Sequence, residues 1–282
     1  METIGILHPG EMGISLAASA LRGGSTVCWA SDGRSEKTRL RATAHALIDA
    51  GSLAGLCRIC AIIVSVCPPG AAEELAGQVI QNGFKGLYLD ANAISPQRAV
   101  RIGQAMQAAG IDFVDGGIIG GPAWEPGQTW LYLSGAGAER IVDYFSHGTL
   151  ETKIIGEEVG KACALKMCYA AYTKGTTALL STILGASELL GVQAELEEQW
   201  NRDDPGFSEQ AGRRAARAAL KAWRFEGEMH EIASTFRGIG MPDGFHEAAA
   251  EVYRRLRSFK DAGQIPELEA ILAALLKKNG AT

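Results

Sequence analysis

Several features that would fix the class of a protein at once are missing from this sequence. Its 282 residues include no apolar run approaching the roughly eighteen residues of a membrane-spanning helix, so no membrane is expected as a partner. The net charge of −5 argues against nucleic acid as a partner, since binding phosphates requires a basic face. The chain opens on an apolar, strand-like segment and not on a basic segment followed by an apolar one, so a cytoplasmic protein is expected.

The cysteines and histidines of this sequence also lack the spacing that is typical of metal sites. Cys57 and Cys60 have the spacing of a ligand pair, but no second pair and no histidine cluster accompanies them. His147, His230 and His246 stand without ligand spacing. The sequence therefore predicts no metal site, and it predicts that the cysteine pair packs as small apolar side chains.

Glycine, in contrast, is abundant with 35 residues, and the first glycine turn organises the chain. Residues 4–7 are apolar and predict a buried strand, Gly10 and Gly13 open a helix over 14–22, and a second strand is predicted over 25–30. This strand–turn–helix–strand unit is the one that holds a dinucleotide pyrophosphate. Its glycines let the backbone approach the phosphates, and the helix N-terminus offers unpaired N–H groups.

The turn departs from the usual dinucleotide fingerprint at one position. His8 stands where that fingerprint has a glycine, and Pro9 follows it. His8 either reaches the cofactor or closes the turn, and an ordinary strand–helix start without a ligand is the alternative. The predicted cofactor contacts here are His8, Pro9, Gly10, Glu11, Met12 and Gly13.

The end of the second strand is where such folds bind the adenosine ribose. An acid there pairs with the 2′-hydroxyl of NAD, whereas arginine with hydroxyls accommodates the 2′-phosphate of NADP. Asp32 gives the first signal, while Ser31, Arg34 and Ser35 resemble a phosphate clamp. NADP(H) is therefore favoured over NAD(H), with the alternative that Ser35 only caps the helix that follows.

Further strands are predicted along the first half of the chain, alternating with helices. They lie over 61–67, 86–90, 112–114 and 130–133. Residues 115–122 contain too many glycines for a regular strand interior, and they predict a loop that approaches a ligand. The alternation predicts an α/β fold with a doubly wound, mostly parallel sheet.

The loops after two of these strands should lie against the cofactor. Cys67, Pro68 and Pro69 end the strand at 61–67, and Asn92 follows the strand at 86–90. All four are predicted cofactor contacts, because ligands of such sheets bind at the carboxyl ends of the strands. Asn92 either contacts the nicotinamide side or shapes its loop.

The second half of the chain is predicted to be entirely helical. Helices are expected over 160–190, 193–200, 207–222, 226–239, 243–262 and 266–279, separated by proline and glycine. The expected domains are therefore a Rossmann-type domain over 1–158 and an all-α domain over 159–282, joined by the long helix. Glu228 and Glu231 lie three residues apart and are interpreted as a solvated helix face. Long apolar helix faces favour a homodimer.

Lys166 is the leading candidate for acid–base chemistry, because it lies in the first turns of the long helix. Small residues at 160, 162 and 164 would let this helix approach the sheet closely, and a lysine beside a cofactor can protonate a product or bind a carboxylate. Tyr169 lies on the same helix face and could share that role. The alternative is a lysine that only covers an apolar seam.

These segments together resemble the β-hydroxyacid dehydrogenases, the group that holds 3-hydroxyisobutyrate and 6-phosphogluconate dehydrogenases and the related imine reductases. The resemblance rests on residues 10–13, 90–96, 115–121, 128–129 and 160–166, and it extends over the whole chain. It implies that Lys166 is the general acid–base residue, and that the helical half supplies a substrate pocket and a dimer interface. The C-terminal half is similar to a distinct phosphogluconate-dehydrogenase-like subfamily.

Two departures from the family pattern affect the substrate. Ile119 stands where the family has a serine that holds a carboxylate, and Tyr169 and Ala170 stand where it has an asparagine pair. A more apolar pocket would suit a bulkier or less charged ketone or imine. The predicted substrate contacts are Ile119, Gly120, Gly121, Lys166 and Tyr169.

The leading hypothesis is an NADPH-preferring oxidoreductase that acts on a small ketone or a substrate similar to a hydroxy acid. One alternative is an imine reductase in which Lys166 or Tyr169 donates the proton. The other is a regulatory protein that binds NAD(P) without catalysis. A small-molecule substrate is expected under the first two.

Overall fold

The computed structural model describes residues 3–260 and 262–277. The chain divides into two compact units between Met167 and Cys168. We call the part up to Met167 the sheet unit and the part that follows the helical unit. The domain boundary predicted between residues 158 and 159 stays a prediction. Within the described ranges, no helix is both long and apolar enough to cross a membrane.

The sheet unit alternates strands and helices. Its strands are β1 (Thr3–Ile6), β2 (Thr26–Trp29), β3 (Ile48–Asp49), β4 (Ile62–Ser65), β5 (Leu87–Asp90), β6 (Asp112–Ile119), β7 (Trp130–Ser134) and β8 (Glu151–Gly156). Its helices are α1 (Glu11–Arg22), α2 (Glu36–Ala44), α3 (Leu53–Ile59), α4 (Ala72–Gln81), α5 (Pro96–Ala108), α6 (Ala138–Phe145) and α7 (Lys161–Ala170), which continues past the division.

The strands form one sheet in the order β3-β2-β1-β4-β5-β6-β7-β8. Every neighbouring pair is parallel except β6 and β7, which run antiparallel. Alternate residues of the central strands enter two different apolar cores, since Ile62 and Val64 belong to one and Ile63 to the other. Both faces of the sheet are therefore covered, and the predicted doubly wound fold is confirmed.

One prediction about the sheet was wrong. Residues 115–119 are not a loop but the second half of β6, and only residues 120–122 leave the strand. Positions 116 and 117 of the strand require glycine because their neighbours leave no room for a side chain. A Cβ on Gly116 would lie 2.9 Å from Leu89 Cδ1. The short strand β3 and the edge strand β8 were not predicted.

In the helical unit, α7 ends at Ala170 and a π-helical segment (Ala171–Gly175) follows, which interrupts the single helix predicted over 160–190. The helices that follow are α8 (Thr176–Leu190), α9 (Gln193–Asp203), α10 (Phe207–Ala219), α11 (Ala222–Gly238), α12 (Gly244–Leu256) and α13 (Leu268–Leu276). From residue 157 onward, no strand occurs in the described residues. Residue 261 and residues 278–279 of the last two predicted helices lie outside those ranges.

The interpretation of Glu228 and Glu231 as a solvated face was also wrong. Both side chains are buried in the helical unit. The carboxylate of Glu228 pairs with Lys174 at 2.9 Å and with Arg224 at 3.2 Å. Lys174 is distant from Glu228 in the sequence. The spacing of residues along one helix therefore could not indicate that a buried carboxylate at this position would be neutralised.

Candidate cofactor and active site

The glycine turn between β1 and α1 has the geometry of a phosphate-binding turn. The backbone N–H of Gly10 donates to the carbonyl oxygen of His8 over 2.8 Å, and a Cβ on Gly13 would overlap that same oxygen. A Cβ on Gly10 would meet nothing within 4 Å, and no side chain caps α1. Space and N–H donors are therefore left together at the start of α1, as an anionic cofactor requires. Pro9, Glu11 and Met12 belong to the same turn.

Two arginines hold this turn from behind. Arg34 Nη2 donates to the carbonyl oxygen of Leu7 over 3.1 Å, and Arg41 Nη1 donates to that of Pro9 over 3.2 Å. Burial, together with the Arg34 charge, lowers the pKa of His8 to about 4, so its imidazole is neutral at pH 7. His8 therefore adds no positive charge to the turn at pH 7, and its carbonyl oxygen closes the turn by accepting from Gly10.

The segment after β2 places the predicted ribose contacts side by side. Ser31 is buried, and its carbonyl oxygen accepts from Arg39 Nη2 over 2.7 Å, whereas Asp32 is exposed. The Ser35 hydroxyl accepts from the backbone N–H of Thr38 over 3.3 Å and thereby caps α2. Arg39 was not predicted, although a run of arginines along the helix after the ribose-binding strand was an available signal.

The loops after β4 and β5 are joined through Asn92. Its side-chain oxygen accepts from the backbone N–H of Cys67 over 2.6 Å, and its side-chain nitrogen donates to Ser65 Oγ over 3.0 Å. This buried amide shapes the loop, which was one of the two roles predicted for it. Burial and the charge of Asp90 raise the pKa of the Cys67 thiol to about 11. Pro68 is exposed, and Pro69 begins a short 3-10 turn (Pro69–Ala71).

The predicted substrate segment lies at the carboxyl edge of the sheet. β6 pairs with β5 only as far as Asp115, so its last four residues extend about 13 Å beyond the end of β5. Ile119, half-buried, ends the strand. Gly120 follows with φ at +123°, a conformation that favours glycine, and Gly121 is exposed. The turn at His8 and the loop at Asn92 lie on the same edge, because β1, β4, β5 and β6 are parallel.

Hydrogen bonds fix the loop that follows this segment. Thr129 Oγ1 donates to the carbonyl oxygen of Gly121 over 2.8 Å. The backbone N–H of Ala123 donates to Ser15 Oγ of α1 over 2.9 Å. The substrate segment is thus tied to the same helix whose N-terminus faces the proposed cofactor.

Asp115 connects β6 to the helix that carries Lys166. Its buried Oδ2 accepts hydrogen bonds from Ser134 Oγ at 2.9 Å and from the backbone N–H groups of Gly160, Ala162 and Cys163 at 2.9, 3.0 and 3.1 Å. A carboxylate at a helix N-terminus is stabilised by the helix dipole and by those unpaired donors. Sequence reasoning placed Asp115 in the family segment but gave it no role.

Lys166 lies beside β6 because Gly117 has no side chain. A Cβ on Gly117 would overlap the carbonyl oxygen of Ala162 and would lie 3.2 Å from Lys166 Cβ. The backbone of α7 therefore packs directly on β6, and Lys166, half-buried, lies near the strand two residues before Ile119. Tyr169 falls in the helical unit and is 46% exposed.

A second buried carboxylate lies next to Asp115. Asp90 pairs with it in the β5–β6 register, and its Oδ1 accepts from the backbone N–H of Asn92 over 3.0 Å. Burial raises the pKa of Asp90 to about 7, opposed by the Asn92 hydrogen bond and reinforced by the charge of Asp115. In the described part of the chain, Asp90 Oδ2 and Asp115 Oδ1 have no hydrogen-bond partner.

The cysteines of the described ranges are not gathered with other possible metal ligands. Across residues 3–260 and 262–277, no group of three or more His, Cys, Asp or Glu side chains could hold a metal ion. Cys57 and Cys60 are buried and free, and burial raises the pKa of Cys57 to about 11. Both pack in the apolar core on one face of the sheet.

Comparisons of sequence agree with this geometry. Residues 3–143 match the family described as the NAD binding domain of 6-phosphogluconate dehydrogenase, and residues 188–256 match a domain of unknown function, DUF1932. An uncharacterized 28.5 kDa protein from the 7S RNA 5′ region of Methanothermus fervidus is 30% identical over 166 residues. That match covers 59% of this chain and 63% of the relative, which is less than two thirds of its length.

Solved structures share the fold over nearly the whole chain. The protein MTH1747, described as similar in structure to 3-hydroxyacid dehydrogenases, is 26% identical, with a TM-score of 0.69 over 91% of this chain and 97% of its own. A 3-hydroxyisobutyrate dehydrogenase from Mycobacterium tuberculosis with L-serine gives 0.73 at 15% identity, covering 98% and 100%. An imine reductase from Myxococcus stipitatus with NADP+ gives 0.58 at 20% identity, covering 98% and 100%.

A dinucleotide-binding turn, a sheet of the expected order and a match over half of the residues lead to one assignment. The chain belongs to the family defined by the NAD binding domain of 6-phosphogluconate dehydrogenase.

Proposed function

We propose that this chain is an NAD(P)-dependent oxidoreductase that interconverts a small ketone and the corresponding hydroxy compound, with Lys166 as its general acid–base residue. The observation that carries the proposal is the direct packing of α7 on Gly117, which holds Lys166 at the carboxyl edge of the sheet. The open glycine turn and the segment Ile119–Gly121 lie at that same edge.

Each part of this edge has a defined task in such a reaction. When bound, the nicotinamide supplies or accepts the hydride. Lys166 moves the proton: it donates to the substrate oxygen during reduction and accepts from the hydroxyl during oxidation. Asp115 keeps α7 in place while this happens, and the backbone of Gly120 and Gly121 orients the substrate.

The same edge supports a preference for NADP(H). Arg34 and Arg39 lie beside Ser31 at the end of β2, so a 2′-phosphate would meet two guanidinium groups there. Similar imine reductases from Myxococcus stipitatus have been solved with NAD+, as a variant, and with NADP+.

A fluorescence titration with NADPH and NADH tests this preference. We expect tighter binding of NADPH, and an Arg39→Ala variant that loses about tenfold or more in NADPH affinity while its NADH affinity changes little. Arg58→Ala, which removes an exposed arginine from α3, is the matched control. Tighter binding of NADH would assign the ribose to Asp32 and contradict the preference.

Replacement of Lys166 tests the catalytic role. Lys166→Ala should lower kcat by roughly 10²- to 10⁴-fold while cofactor affinity is retained, because only the proton transfer is removed. Lys161→Ala is the control, since Lys161 begins the same helix and is exposed. Cofactor binding without turnover on hydroxy acids, ketones and imines would favour the regulatory alternative.

Imine reduction is the second candidate. It is favoured by Ile119, an apolar, half-buried side chain at the position that ends the substrate strand. Such a side chain provides no donor for a carboxylate and suits an apolar ring. Turnover of a cyclic imine such as 1-pyrroline, with none of hydroxy acids, would select this candidate.

We also propose that the protein is a homodimer. Leu179, Leu189 and Leu190 of α8 are 44%, 70% and 75% exposed, which is unfavourable for a helix that faces only water. Light scattering would give twice the monomer mass of 29.8 kDa if these residues meet a second copy.

A further inference from the structure

We propose that the helical unit contains a binding site for a small multivalent oxyanion, such as a phosphate ester or a tricarboxylate. The site is a pocket of about 300 Å³, which we call the basic pocket. It is lined by Thr173, Lys174, Thr177, Arg214, Arg217, Ala218, Lys221, Phe225 and Tyr253. This inference does not depend on the activity proposed for the sheet unit.

The charge of the basic pocket is the first argument. Four of its side chains are cationic and none is acidic, in a chain whose net charge is −5. Lys174 pairs with the buried carboxylate of Glu228 at 2.9 Å. Among the described residues, Arg217 and Lys221 form no ion pair within 4.0 Å, and Arg214 donates to hydroxyl and carbonyl oxygens. Three positive charges are therefore left without a carboxylate, which matches a ligand with two or three negative charges.

The spacing of these cations gives the second argument. Arg214 and Arg217 are separated by three residues and share one face of α10, and Lys221 lies two residues beyond the end of that helix. Like charges at this spacing destabilise a helix unless a counterion lies between them. Three other pockets of the helical unit each include at least one glutamate, whereas the basic pocket includes none.

The basic pocket is also held in a defined shape. Arg214 Nη2 donates to Thr176 Oγ1 over 2.8 Å and to Thr177 Oγ1 over 3.1 Å. The hydroxyl of Tyr253 donates to the carbonyl oxygen of Lys174 over 2.8 Å, and Lys174 Nζ lies 4.9 Å from the centre of the Phe225 ring. An arginine fixed in this way suits an oxyanion, since little side-chain freedom remains to be lost on binding.

An unusual backbone segment supplies one wall of the basic pocket. Thr173 and Lys174 lie in the π-helical segment Ala171–Gly175, at the point where the chain enters α8. Such segments are rare and occur often at functional sites, because the extra residue changes the direction of the side chains in one turn.

The test is a calorimetric titration of the full chain with inorganic phosphate and, separately, with citrate, at constant ionic strength. The native protein should bind at least one of the two anions in the millimolar range or tighter. Arg217→Ala/Lys221→Ala should weaken that binding about tenfold or more, because two charged donors are removed. The anion that binds more tightly identifies the source of the oxyanion as phosphate or carboxylate.

Two controls make the result specific. Arg202→Ala/Arg213→Ala removes the same charge from α9 and α10, where each arginine pairs with a glutamate on its own helix, and should leave anion affinity unchanged. Arg34→Ala/Arg39→Ala removes the cations of the proposed cofactor site, so any anion binding that this variant loses belongs to that site and not to the basic pocket. The proposal is overturned if the native protein binds neither anion, if both helical-unit variants lose affinity equally, or if only the sheet-unit variant does.

Discussion

The two units of the chain bury carboxylates in opposite ways. In the sheet unit, Asp115 Oδ2 accepts three backbone N–H groups and a serine hydroxyl, and it forms no ion pair with a cation of the described residues. In the helical unit, Glu228 is neutralised by the side chains of Lys174 and Arg224. The first arrangement fixes the position of a helix, because backbone groups cannot move independently. The second arrangement neutralises a buried charge with other side chains, and those side chains can be substituted without moving the backbone.

This difference extends to the two proposed binding sites. The site in the sheet unit depends on close backbone packing, at Gly13 against His8 and at Gly117 against α7. The basic pocket depends on cationic side chains at helix spacing. Substitutions in the sheet unit should therefore change geometry first, whereas substitutions in the helical unit should change electrostatics first.

The largest expected effect concerns Asp90, a buried carboxylate whose Oδ1 accepts a hydrogen bond from the backbone N–H of Asn92. Its pKa is about 7 in the folded protein and below 4 in an unfolded chain, so the folded state binds the extra proton. The contribution to stability is therefore present below about pH 4 and is lost as the pH rises to about 7.

Asp90→Asn should remove this pH dependence. Between pH 4 and pH 8, the free energy of unfolding of the native protein should fall by up to about 4 kcal/mol relative to that of the variant, as measured by urea unfolding. The control is Asp143→Asn on the surface helix α6, and its free energy of unfolding should change with pH in the same way as that of the native protein. Equal slopes for native protein and Asp90→Asn would show that Asp90 ionises normally.

The next effect is expected in the helical unit. Lys174→Ala removes one of the cations that pair with the buried Glu228 and should lower the free energy of unfolding by about 3 kcal/mol. The double variant Lys174→Met/Glu228→Gln removes both charges and should recover most of that loss, as judged by urea unfolding. If the double variant were as unstable as the single one, the pair would not act as a charge balance.

A smaller loss of stability is expected for Asp115→Asn, but with a larger loss of function. The amide accepts fewer of the N–H groups of α7, so the free energy of unfolding should fall by about 2 kcal/mol and kcat should fall while cofactor affinity holds. Asp112→Asn, on the same strand with a 72% exposed side chain, is the control. A loss of cofactor affinity equal to the loss of kcat would indicate general disruption instead of a displaced helix.

The sheet unit was predictable from the sequence to the extent that its features are local. Apolar runs between glycine turns predicted β1, β2, β4 and β5. The loops that follow these strands located His8, Cys67 and Asn92 at one edge of the sheet. The second half of β6 was missed because glycine is disfavoured in strands, and only the packing of Ala162 against Gly117 shows why it is needed there.

Features that depend on distant partners were not predictable. Asp115 meets α7 and Glu228 meets Lys174 only after the chain has folded, so neither role has a signal in spacing. The same holds for Arg41, whose contact with Pro9 crosses from α2 to the first turn. The charge of a helix face is readable from a sequence, but whether that face is buried is decided by what packs on it.

Ser35 gives the smallest expected effect, and it separates a backbone role from a ligand role at a single residue. Its hydroxyl caps α2 through Thr38, so Ser35→Ala should cost about 1 kcal/mol of unfolding free energy. Ser35→Asp keeps a capping oxygen and should leave stability nearly unchanged. If the residue also faces the 2′-phosphate of NADPH, the aspartate will repel it, and NADPH affinity will fall while NADH affinity holds. If both affinities stay level, Ser35 acts on the backbone alone, and the preference for NADPH must come from the arginines.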